Sequence, residues 1–178
     1  DHAWGREPVT MTDIKSYRSH TNCLGSGQVL GSDYPYEKGL LVVKEMMDLL
    51  CLDLVEKNLI TCSVTLHVGY ANRFNVPSAH GTVSTDAETN SDLLLIPAVT
   101  DLYRQIVNPN YPIHRINITC NNVMPEEYHQ YHFFIDGAQL ERSRRIQQAV
   151  ISIKNRFGKD AILKGMNLEE GATTRERN

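Results

Sequence analysis

The sequence predicts an α+β domain: a four-stranded antiparallel sheet with two helices on one face. Two observations predict it. Three segments alternate apolar and polar residues with period two, and two longer stretches repeat apolar residues every three or four positions. Their order over roughly residues 22–123 is strand, helix, strand, strand, helix, strand, the βαββαβ, ferredoxin-like pattern.

The elements follow in chain order. Residues 1–20 contain Pro8 and a short polar stretch without a sustained period, and read as a linker. Asn22–Leu30 has extended character with Gly25 and Gly27 inside it, which marks a strand whose backbone is closely approached, or a bulge. Pro35 suits the first turn of a helix in which Leu40, Val43, Met47, Leu50 and Leu54 form the apolar stripe. Asn58 closes that helix, because Asn tolerates the left-handed conformation of a helix end.

In residues 61–70, Val64, Leu66, Val68 and Tyr70 alternate with Ser63, Thr65, His67 and Gly69, as expected of a half-buried strand. Residues 79–85 repeat the alternation more weakly, with Gly81 and Val83 on one side and His80, Thr82 and Ser84 on the other. Ser91 is placed to cap a second helix with Ile96, Val99, Tyr103 and Ile106 on one stripe, its start held near Pro97. After a break at 108–112, His114, Ile116, Ile118 and Cys120 share one face of a fourth strand, and Arg115, Asn117, Thr119 and Asn121 the other. Residues 125–138 lack periodicity and read as a connector. A third helix, Gln139 to Phe157, shows an apolar stripe of Ile146, Ala149, Val150, Ile153 and Phe157, and Gly158 stops it.

Composition narrows the function classes. With 41% hydrophobic and 22% charged residues the chain is globular, and no apolar run approaches the roughly 18 residues that cross a bilayer, so no membrane role is expected. Four cysteines lie far apart with no C-x-x-C pair, which points to a reducing cytoplasm rather than a zinc cluster or disulfide framework. The net charge of −3 speaks against a nucleic-acid partner, but residues 139–178 hold nine Lys/Arg against five Asp/Glu, leaving nine against sixteen in residues 1–138. The basic surplus is therefore in the tail. The chain begins at Asp1 without a leader and ends without a terminator, and reads as a fragment of a longer protein.

With the apolar sides of the strands turned to the helices, the other side presents Thr65, His67, Gly69, Thr82, Ser84, Arg115, Asn117 and Thr119, joined by Ser26 and Gly27 of the first strand. These residues are small, polar and weakly basic. They suit a phosphate backbone lying near strand amides and hydroxyls without base reading. Large aromatics are missing from that face, unlike an RNA-recognition module, which stacks bases on its central strands.

The segments HAWGREPVTMTDIKSY, CLGSGQVL, HGTVS, HRINITCNNV and IKNRFGKDAILKGMNLEEGATTRERN resemble the C-terminal part of bacterial Y-family, UmuC-like translesion DNA polymerases. The resemblance implies that residues 1–20 are the end of the thumb and its linker, 21–124 the little-finger DNA-binding domain, 125–138 a connector, and 139–178 a basic helical tail. It implies primer–template DNA as partner and a role in translesion synthesis, DNA repair and the SOS response. The parent would be a magnesium-dependent DNA-directed DNA polymerase, whose catalytic palm this fragment lacks. No cofactor is expected in the fragment itself. His67, Gly69 and Thr119 stand where the family often carries basic side chains, which implies a weak grip that depends on the rest of the protein. In the connector, Gln130, Tyr131, Phe133 and Phe134 resemble the short sliding-clamp motif, a Gln followed by an apolar pair that few contacts anchor in a pocket. The paired carboxylates Glu126–Glu127 and Glu169–Glu170, and His129 and His132, are expected to be solvated rather than metal-bound. A stand-alone regulatory or protein-interaction domain of the same fold is the alternative.

Overall fold

The alternating segments become strands and the helical repeats become helices in the computed structural model, which describes residues 9–17, 22–126 and 137–177. The elements are α1 (Met11–Ser16), β1 (Leu24–Tyr34), α2 (Tyr36–Glu56), β2 (Leu59–Tyr70), β3 (Ala79–Thr89), α3 (Asp92–Ile106), β4 (Ile113–Asn121), β5 (Met124–Pro125), α4 (Gly137–Phe157) and α5 (Thr174–Arg177). The expected α+β fold is present. The sheet runs β1-β4-β2-β3 with every pair antiparallel, and a short fifth strand, β5, pairs with the start of β2. The second and fourth strands thus take the centre, an arrangement the linear pattern does not specify.

The core lies between the sheet and two helices. Val43, Met46, Met47, Leu50 and Leu54 of α2 and Leu95, Val99 and Tyr103 of α3 meet Val64, Leu66 and Val68 of β2 and Ile116, Ile118 and Cys120 of β4, all of them buried. Pro35 occupies the cap position of α2 rather than its first turn. Asn58, with φ 51°, takes the left-handed conformation expected past the end of that helix. Ser91 is the N-cap residue of α3, yet its hydroxyl makes no cap bond; its backbone amide instead donates to Thr89 Oγ1 at 3.1 Å. Pro97 sits at the sixth helical position, further in than expected. Tyr103 donates from its hydroxyl to the Tyr36 carbonyl at 2.7 Å, tying α3 to the start of α2, and burial pushes its phenol pKa well up.

A second layer covers the outward side of α2. There α2 buries Glu45, Asp48, Leu52 and Val55, residues that belong on the solvent side of a two-layer fold. Part of the cover is a strap running from Lys164 through a 3₁₀ turn at Gly165–Leu168 into α5. Its Asn167, Thr173 and Thr174 are buried and bond to Glu45. Lys164 bridges Asp48 at 2.6 Å and Asp92 at 2.9 Å. Burial alone would lower the Lys164 pKa, but those two carboxylates hold it above the ordinary lysine value.

The remaining cover is α4, and it corrects the expected stripe. The line Leu140, Ser143, Arg144, Gln147, Val150, Ile151 and Lys154 faces the body, with Gln147 fully buried, while Ile146 and Phe157 remain 53% and 66% exposed. Polar contacts select the inner face. Ser143 donates to Asp92 at 2.7 Å, the Arg144 guanidinium pairs with Glu126, and Gln147 reaches the Asn90 carbonyl at 3.4 Å. Glu126, expected to be solvated, is instead 9% exposed in its side chain and held by Arg144 and Asn90. Among the described residues no helix is long and apolar enough to cross a membrane.

Candidate nucleic-acid interface

The face of the sheet opposite the helices stays open, and cross-strand pairing arranges its side chains in rows. One row reads Gly25, Thr119, Thr65 and Thr82 across β1, β4, β2 and β3. The next reads Gly27, Asn117, His67 and His80, and the third Val29, Arg115 and Gly69. Ser84 lies across from Ser63, whose other neighbour is Asn121. Directly paired residues share a face, so the register itself brings most of the expected site together.

Ser26 is the exception and a correction. It pairs with Ile118, which is fully buried beneath the helices, so period two turns Ser26 to the opposite side from Gly27. Five residues missing from the expected set also join the face: Gly25, Val29, Ser63, His80 and Asn121. The signal for His80 was present in the sequence, because it alternates in phase with Thr82 and Ser84.

Several hydroxyls are already engaged with one another. Thr65 and Thr82 bond oxygen to oxygen at 2.8 Å, and Asn121 Nδ2 donates to Thr65 Oγ1 at 2.9 Å and to Ser63 Oγ at 3.1 Å. The next row has an unsatisfied atom, since His67 Nδ1 is buried and makes no hydrogen bond. Gly27 shapes the same row: Asn117 Oδ1 lies 2.3 Å from where a Cβ at Gly27 would stand, so the carboxamide lies flat over β1 only because no side chain is there.

Charge is sparse. Arg115 is exposed and, among the described residues, no carboxylate is bonded to it. Asp33, on a bulge of β1 where the register with β4 shifts, is the nearby acid, and it is engaged by Arg73 and by His114 Nδ1 at 3.2 Å. Beside Arg115 the face dips into an open concavity of about 490 Å³, bordered by His67, Gly69, Asn72, Asn75 and Ser78. Gln130, Tyr131, Phe133 and Phe134 lie outside the described residues. Glu126 is bonded to Arg144 and Glu170 to Lys38, and among the described residues no three His, Cys, Asp or Glu gather to hold an ion; Glu127, His129 and His132 lie outside the described residues.

An antiparallel βαββαβ domain with one open polar face is an architecture that several functional classes share, and sequence comparison places this example. Residues 23–133 match the impB/mucB/samB family C-terminal domain, and the chain belongs to that family, that of the UmuC-like C-terminal region. No curated protein matches the chain. Among solved structures, a Y-family DNA polymerase chimera aligns with TM-score 0.47 and 14% identity, over 61% of this chain and 30% of its own. The insertion ternary complex of Dbh DNA polymerase aligns with TM-score 0.47 and 13% identity, over 64% and 33%. A complex of the beta-clamp processivity factor and the little finger domain of PolIV gives 0.45 and 8%, over 64% and 100%. The chain therefore spans about a third of the length of the two polymerases.

Proposed function

We propose that this chain is the non-catalytic, DNA-holding portion of a Y-family polymerase that acts in translesion synthesis and repair in the bacterial cytoplasm. The open face, which apart from Val29 carries glycines and polar side chains and whose Arg115 is unpaired among the described residues, supports this reading. A duplex backbone can approach such a face closely. Hydroxyls, amides and one guanidinium then contact phosphates, which position a duplex without reading its sequence. Nucleotidyl transfer and its magnesium belong in this reading to the parent's palm, and no step of that reaction is assigned to residues of this chain.

With Arg115 the single exposed cation on the face among the described residues, the grip is weak, and the parent supplies the remainder. The segment Gln130–Phe134 is the proposed sliding-clamp tether; replacing Phe133 and Phe134 by Ala is expected to abolish clamp affinity, and unchanged affinity removes the tether.

The test of the main reading is a fluorescence titration with primer–template DNA at several salt concentrations. Affinity is expected to fall as salt rises, and Arg115→Ala to weaken binding several-fold while lowering the salt slope by about one. Absence of binding at low salt, or an Arg115→Ala variant that binds as well as the parent chain, overturns it in favour of a protein-interaction domain.

A further inference from the structure

We propose that the outer shoulder of α4 is a docking surface for an amphipathic, acid-flanked helix of a partner protein. The match to the family domain ends at residue 133, and α4 and the strap lie beyond it. α4 packs through its Leu140–Gln147–Lys154 line onto the outer side of α2 and α3. That packing leaves Ile146, Ala149, Ile153 and Phe157 on an adjacent line, at spacings of three and four, with Ile146 and Phe157 more than half exposed. At about 1.5 Å per residue the line runs roughly 16 Å along the helix, enough to seat two or three turns of a second helix.

Charge identifies the occupant. At about 100° per residue, the apolar line is bordered on one side by the packed face and on the other by Arg145 and Arg156, while Arg142 continues the line itself one turn before Ile146; all three are exposed, and the Arg156 guanidinium lies over the Phe157 ring at 5.0 Å. The single acidic residue of α4, Glu141, is taken up by Arg145 at 3.1 Å. A second copy of α4 would bring arginines against arginines. Nucleic acid would meet the arginines but leave the isoleucines and Phe157 without a partner, and a duplex on the open sheet lies on the opposite side of the fold. A partner helix with an apolar stripe and Glu or Asp along its edge satisfies both features, the apolar residues giving affinity and the charges orientation.

The test uses the whole chain and three labelled synthetic helices of about five turns: a Leu stripe with Glu flanks, the same stripe with Lys flanks, and a scrambled peptide with the Glu composition. The Glu-flanked helix is expected to bind at least about tenfold more tightly than either control, and to lose about tenfold or more in Ile146→Asp/Phe157→Asp. Both substitutions fall on exposed positions, and an unchanged thermal transition verifies the fold. Arg142→Glu/Arg145→Glu is expected to weaken binding in a salt-dependent way. Equal binding of the scrambled peptide, no binding of any peptide, or full affinity in Ile146→Asp/Phe157→Asp overturns the proposal. So does a DNA duplex that binds in place of the peptides and is lost in Arg142→Glu/Arg145→Glu alone.

Discussion

The backbone amide of Thr173 donates a 2.7 Å hydrogen bond to Glu45 Oε2, joining residues 128 positions apart. Asn167 Nδ2 and the Thr174 hydroxyl both donate to Glu45 Oε1 at 2.8 Å, and Glu45 is 1% exposed. The carboxylate is therefore tolerated inside only because the strap satisfies it. Glu45→Ala would strand those donors, and the cost of leaving buried donors to a charged partner unsatisfied sets the expectation at about 3 kcal/mol. Urea unfolding at constant m measures it; a loss below about 1 kcal/mol would show that the strap is not docked in solution.

Gly39 lies on α2 where a Cβ would come within 2.4 Å of Ile113 Cδ1 and 2.8 Å of Tyr103 Oη, both in fully buried side chains. Replacing Gly by Ala in a helix ordinarily gains up to about 1 kcal/mol. Here overpacking, which costs about 1–3 kcal/mol, outweighs that gain, so Gly39→Ala is expected to lower the denaturation midpoint. Gly31→Ala, with nothing within 4 Å of its Cβ, is the control and should leave the midpoint unmoved.

Gly27→Val separates stability from DNA contact. The new side chain displaces the Asn117 carboxamide and raises the floor of the open face, but it touches no core residue. DNA affinity is expected to fall several-fold while the unfolding midpoint shifts by less than about 1 kcal/mol equivalent. A large loss of stability with DNA binding intact would contradict this assignment of Gly27.

Alkaline pH should destabilise the fold through buried thiols. Burial pushes Cys120 from 9.0 up to about 12, and Cys51 well above its ordinary value. A folded-state pKa above the unfolded one means that the unfolded chain releases protons first, so the stabilisation is fully present below pH 9 and is lost as pH rises from there towards 12. Stability measured across that window should decline, and Cys120→Ala should make the decline shallower. An identical slope in the variant would exclude the Cys120 thiol as its source.

The helix-and-strand pattern was legible where one face of an element meets the core and the other meets water. β2 alternates from Val64 to Val68 and β4 from Ile116 to Asn121, and past the end of α2 Asn58 takes the left-handed conformation. Legibility fails where polar groups do the packing. Gln147, Ser143 and Arg144 face the body because Asn90, Asp92 and Glu126 receive them, and no apolar count reveals partners that lie 18 to 57 positions away. Glu45 reads from sequence as an ordinary solvent-side residue for the same reason. On the open face, period two groups Thr65 with His67, Thr82 with Ser84, and Arg115 with Asn117 and Thr119, while in β1 Ser26 and Gly27 are adjacent and so turn to opposite surfaces. The order of strands across the sheet, which decides that His67 and His80 stand side by side, depends on long-range pairing absent from any local window.

The Thr65–Thr82 contact joins two hydroxyls, either of which can be the donor. Reversing it, together with the lone pairs that Thr65 offers to Asn121, converts one end of the pair from acceptor to donor with no movement of a heavy atom. The β2–β3 pair thus carries a small patch that can donate or accept, its polarity set by whatever lies over it, and its fit to a passing backbone does not depend on which oxygen or amide arrives first.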